Sequence, residues 1–133
     1  ELYKKIESEY GFVPIKLEYL PENTTFKEAV FCSDMQGINL YYESNQKANI
    51  IYIIRPNYRE SSLSTVIEDE KIQEYKMIVN DVNITLTEYN IAETGENRWS
   101  ILWVYQDVQY LLRITEMKQA EVEKLVNTLR FSE

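Results

Sequence analysis

Apolar and polar residues alternate with period two along most of this chain, and with a period near four only toward its ends. Leu2, Ile6 and Tyr10 recur every four residues, with Lys4, Lys5, Glu7 and Glu9 off that stripe. That spacing predicts a short N-terminal helix, and Gly11 is a natural stop for it. The stripe is narrow, so the helix is expected to lie on the rest of the domain rather than at its centre. Pro14 marks the start of an extended segment, Ile15 to Leu20, and Pro21-Glu22-Asn23-Thr24 makes the turn that follows.

From there the period is two. Phe26 to Cys32 and Ile38 to Glu43 read as strands, the second with Ile38, Leu40 and Tyr42 on one side. Ile50 to Arg55 is apolar on both sides, as expected of a central strand covered on each face. Tyr75 to Val79 and Val82 to Tyr89 are separated by Asn80-Asp81, two residues that tolerate positive φ and therefore signal a tight hairpin. Trp99 to Tyr105, the turn Gln106-Asp107 and Val108 to Ile114 form another. Thr115 is the expected N-cap of a last helix, Met117 to Arg130, whose stripe is Val122, Leu125, Val126 and Leu129.

Short turns favour antiparallel pairing. The chain therefore reads as one α+β domain, residues 1–133: an N-terminal helix (1–12), a meandering antiparallel sheet of about six to eight strands (13–115) and a C-terminal helix (116–131). The last helix is expected to land on the Trp99, Ile101, Trp103, Tyr105 side of its strand. Pro56 to Gln73 has little periodicity of either kind and is expected to be a mobile or short-helical connection.

Composition adds limits rather than a function. A chain of 133 residues with 44% hydrophobic and 27% charged residues is long enough to bury a core unaided. Its formal charge of −8 argues against nucleic acid and anionic lipid surfaces as partners. No stretch approaches the ~20 apolar residues of a membrane span. The chain opens on Glu1 rather than methionine, as expected if it has been processed or trimmed, so any membrane contact is expected through a tether outside it.

Candidate chemistry is sparse. With no histidine and one cysteine, zinc, copper and haem sites lack their ligands, and no cofactor is expected. Cys32 lies in the apolar run Glu28 to Cys32 and reads as a buried thiol rather than a nucleophile. Glu68, Asp69 and Glu70 are adjacent, which does not reproduce the alternating ligands of a calcium loop. Ser61, Ser62 and Ser64 sit in a polar connection without the usual base, and nothing points to a Ser/Lys pair such as Ser64 and Lys71. The expectation is a protein that is not an enzyme.

Bulky residues on both sides of several strands carry the better functional idea. Two terminal helices are too few to guarantee cover for both faces, so an uncovered aromatic strip would serve as a surface for a protein partner or a small apolar ligand. Its candidates are Tyr41, Tyr52, Trp99, Trp103, Tyr105 and Tyr110. The competing expectation is that sheet curvature or the long connection folds these residues inside.

The run Tyr10-Gly11-Phe12-Val13-Pro14, then Leu20-Pro21-Glu22, resembles the leucine-proline-glutamate opening of a domain family of unknown function. That family occurs at the extracytoplasmic C-terminus of single-pass, anti-sigma-factor-like membrane proteins of Gram-positive bacteria. Ile50 to Ile54, the hairpin Trp103 to Tyr110 and the closing stripe Val122 to Leu129 fall where the family has them, although relatives commonly have Asp-Gly where this chain has Asp107-Val108. The resemblance implies a membrane-anchored, extracytoplasmic regulatory or sensor module that binds without chemistry of its own. It supplies no catalytic, cofactor or metal residues. The alternative is a structural or accessory envelope or lipoprotein domain without a dedicated ligand.

Overall fold

A computed structural model describes residues 2–32, 37–44, 49–56 and 70–131. Helix α1 (Leu2–Tyr10) is followed by strands β1 (Thr24–Cys32), β2 (Gly37–Ser44), β3 (Asn49–Pro56), β4 (Glu70–Val79), β5 (Val82–Asn90), β6 (Asn97–Tyr105) and β7 (Val108–Thr115), and by helix α2 (Gln119–Asn127). The seven strands form one sheet in the order β1-β2-β3-β7-β6-β5-β4, and every neighbouring pair is antiparallel. The fold is α+β.

The sheet is two meanders joined at the middle. β1-β2-β3 and β4-β5-β6-β7 each run between sequence neighbours, and β3 pairs β7 across the join. This puts two largely apolar strands, Ile50 to Ile54 and Tyr110 to Ile114, side by side with neighbours on both edges. Both two-residue hairpins have positive φ at each turn residue: Asn80 at 51° and Asp81 at 66°, Gln106 at 51° and Asp107 at 65°. That backbone matches the twist of the strands it joins, so Gln106-Asp107 turns the chain without a glycine.

The helices seal one face. Ile6 of α1 is buried, with Leu2 and Tyr10 half-buried, and Gly11 ends the helix at φ 81° while its N–H donates to the Glu7 carbonyl at 2.9 Å. α2 buries Val122, Leu125 and Val126, with Leu129 just beyond it. Ile15 is buried between the sheet and solvent, and its carbonyl accepts the Tyr52 hydroxyl at 2.6 Å.

Three boundaries differ from expectation. Thr115 is the last residue of β7, not a helix cap: α2 starts at Gln119 after Lys118, which makes no side-chain cap. Met117 is buried before the helix, where the chain turns through Glu116 at φ 64°. The expected connection from Pro56 to Gln73 is shorter, because Pro56 ends β3 and β4 begins at Glu70. The added turn of β4 contains a bulge between Lys71 and Gln73. The rest of that connection, with Ser61, Ser62, Ser64, Glu68 and Asp69, lies outside the described residues, as does the Cys32 side chain.

Candidate functional site

Strand side chains alternate between faces, so the register sorts them. On the helix-covered face, Trp99, Ile101 and Trp103 stand opposite Ile114, Leu112 and Tyr110, and those stand opposite Ile50, Tyr52 and Ile54. Tyr52, Trp103 and Tyr110 stack with ring centroids 5.3–6.2 Å apart. Phe131 closes on Trp103 edge-on at 6.4 Å.

Of the six aromatic residues singled out from sequence, Tyr52, Trp99, Trp103 and Tyr110 are therefore interior, each no more than 2% exposed. Tyr105 is half-buried against the same core, beside Phe131. Tyr41 is on the opposite face, half-buried, and its hydroxyl accepts the Asn39 amide at 3.4 Å. Five of the six share one face, under the helices, and Tyr41 stands apart. The indole N–H groups of Trp99 and Trp103 are buried with no acceptor among the described residues.

A polar network lies where α2 meets β4 and β5. The Tyr75 hydroxyl donates to Glu123 at 2.5 Å and accepts from the Gln119 amide at 3.0 Å, and Gln73 donates to Glu88 at 2.8 Å. Asn97 donates to the other oxygen of Glu88. Burial and the hydrogen bond to Glu123 push the Tyr75 phenol up to about 12. It is therefore a protonated donor at neutral pH, suited to docking the helix and not to abstracting protons.

The second face has a different composition. On β3, β7, β6 and β5 it carries Arg55, Arg98 and Arg113 and, among the described residues, no carboxylate. Arg113 stands opposite Ser100 and Ile51, and Arg98 opposite Tyr89 and Thr115. Burial lowers the Arg113 guanidinium from its ordinary value, the charge of Arg98 acts in the same direction, and Tyr89 opposes them. Arg55 is buried and its stem crosses Gly37, where a Cβ would lie 2.8 Å from the arginine Cδ, so only glycine leaves room for it.

Ile53, Leu111, Tyr89, Thr87, Ser100 and Gln109 on this face are each less than a tenth exposed. Toward the Asn80-Asp81 hairpin the face opens. A shallow groove of about 430 Å3 there is lined by Asp81, Val82, Asn83, Thr85, Leu102, Trp103 and Val104, with Val104 41% exposed. Among the described residues no three acidic or cysteine side chains are placed to hold a metal ion.

Apart from Trp103, neither the groove residues nor the arginine pair were among the sequence candidates. Their one signal in the sequence is a charged residue inside an apolar strand, as in Tyr110-Leu111-Leu112-Arg113-Ile114.

Residues 14–129 match the family described as Domain of unknown function (DUF4367). The chain belongs to that family. The match starts at Pro14 and ends at Leu129, so it takes in all seven strands and α2 and leaves out α1. No curated protein matches this DUF4367 domain.

Proposed function

We propose that this DUF4367 domain is the non-catalytic, extracytoplasmic binding or sensor part of a membrane-anchored regulatory protein, and that it binds through the second face of its sheet. The observation that carries the reading is the opening at one end of the second face. The helices pack against one face, and the groove at Leu102 and Val104 is presented on the other. The groove sets apolar Val82, Leu102 and Val104 beside polar Asp81, Asn83 and Thr85, the mixture of apolar contact and placed polar groups that binding sites use. The anchored, anti-sigma-factor-like setting rests on the resemblance of the chain's opening and hairpins alone.

Site-specific photo-crosslinking in intact cells tests the reading, with the reactive side chain at Val104 and a control at Val13, which is 53% exposed and follows α1. An adduct specific to Val104, together with digestion of the domain by protease added outside the cells, is the expected result. Equal labelling at both positions overturns the binding site, and protection from external protease overturns the location. A structural envelope domain is the competing reading, favoured by the burial of Ile53, Leu111 and Tyr89 on the second face. It expects no Val104-specific adduct.

A further inference from the structure

Among the described residues β4 is an edge strand, paired only with β5. Its ten residues run Glu70-Lys71-Ile72-Gln73-Glu74-Tyr75-Lys76-Met77-Ile78-Val79. Ile78 and Ile72 are 69% and 54% exposed, the two most exposed large hydrophobic side chains among the described residues. An exposed edge is a template for another strand unless charge or shape forbids it.

The direction of the free backbone groups follows from the hairpin. The two-residue turn closes on the Val79–Val82 pair, which in such hairpins is a hydrogen-bonded pair. Alternation along an antiparallel ladder then aims the amides and carbonyls of Met77 and Tyr75 at β5, and those of Ile78, Lys76 and Glu74 outward. The outward set carries a cation, an anion and an exposed apolar residue.

We propose that β4 pairs antiparallel with β4 of a second copy of this chain, about a two-fold axis at Tyr75, joining two seven-stranded sheets edge to edge. In that register Glu74 of each copy faces Lys76 of the other, twice, and Ile72, at the bulge, lies outside the paired stretch. Outward groups meet outward groups, so the ladder continues. Charge selects this register over its neighbours. A shift of two residues one way sets Lys76 against Lys76, and the other way sets Glu74 against Glu74, and like charges directly opposite are destabilising. Lysine on an edge usually discourages pairing, but a glutamate two residues away makes this strand complementary to itself. Glu74 now accepts from the Lys71 ammonium at 3.1 Å and the Thr87 hydroxyl at 3.5 Å, and the exposed ion pair gives way at little cost.

Sedimentation equilibrium on the 133-residue chain, at concentrations up to the near-millimolar range, tests the pairing. Reversible dimers are expected. Glu74→Lys and Lys76→Glu should each weaken association by about tenfold or more, with unchanged thermal unfolding because both side chains are exposed. A mixture of the two single variants should form a heterodimer tighter than either variant alone, and the double reversal E74K/K76E should restore the parent affinity. A chain that stays monomeric throughout, or dimers indifferent to the single reversals and to mixing, would overturn the proposal.

Discussion

Trp103 and Val104 are adjacent in the chain and lie on opposite faces of one strand. Trp103 is 2% exposed in a stack with Tyr52 and Tyr110, and Val104 is 41% exposed at the rim of a groove. The same contrast runs across the sheet. One face is a continuous apolar core joined by three pieces of chain, α1, the Ile15 segment and α2. The other mixes Ile53 and Leu111 with Arg55, Arg98, Arg113, Ser100 and Thr87. Most of the buried apolar side chains are on the first face, and the second carries side chains that a core alone does not require.

The sharpest way to break that contrast is to truncate the two neighbours. Trp103→Ala removes the centre of the aromatic stack and is expected to cost about 3–5 kcal/mol, the range for a large buried ring. Val104→Ala, one residue on, should cost less than about 1 kcal/mol. Urea unfolding of both variants checks this. Equal losses would mean that the second face is as integral to the core as the first.

That the strands exist was readable from alternation, and both hairpins from Asn80-Asp81 and Gln106-Asp107. The side of β6 that meets α2, Trp99, Ile101, Trp103 and Tyr105, was readable too, but the order of the strands in the sheet was not. That order depends on the β3·β7 pairing, a contact between segments about sixty residues apart. Local pattern carries no signal for such a pairing. The aromatic candidates were picked for bulk, and bulk is what the helix-covered face uses. The first turn of β4 was hidden for another reason. Its bulge at Lys71 to Gln73 breaks the alternation by which strands are recognised. The α2 boundary was mistaken because Thr115 has the chemistry of a cap and the position of a strand end.

Alkaline pH should expose the same contrast by a smaller margin. Burial raises the phenols of Tyr52, well above its ordinary value, and of Tyr110, to about 12, and both belong to the helix-covered face. An acid whose pKa is raised on folding keeps its proton in the native state after the unfolded chain has lost it. Its contribution is complete below pH 10 and declines as pH rises from there. Tyr110 alone should remove about 1 kcal/mol by pH 11, and Tyr52 acts in the same direction. Thermal unfolding followed from pH 8 to 11 should therefore fall above 10, and in Tyr110→Phe the fall should be shallower. A slope unchanged by that substitution would place the alkaline weakness elsewhere.

The smallest expected effect is on the second face, and its sign is informative. Arg113 is half-buried, with its charge disfavoured by burial and by Arg98. Arg113→Met keeps much of the apolar stem against Ile51 and deletes the charge that Arg98 opposes. Stability should therefore stay within about 1 kcal/mol of the parent, and any change should be a gain. A gain from relieved repulsion must shrink as salt screens the parent's own repulsion. Unfolding of the two proteins at low and high ionic strength separates the possibilities. A gain at low salt that fades at high salt identifies a face holding like charges together at a cost, as a surface kept for an anionic group would. A loss that persists at all salt concentrations would instead make Arg113 a structural residue, and the two faces would differ in composition but not in role.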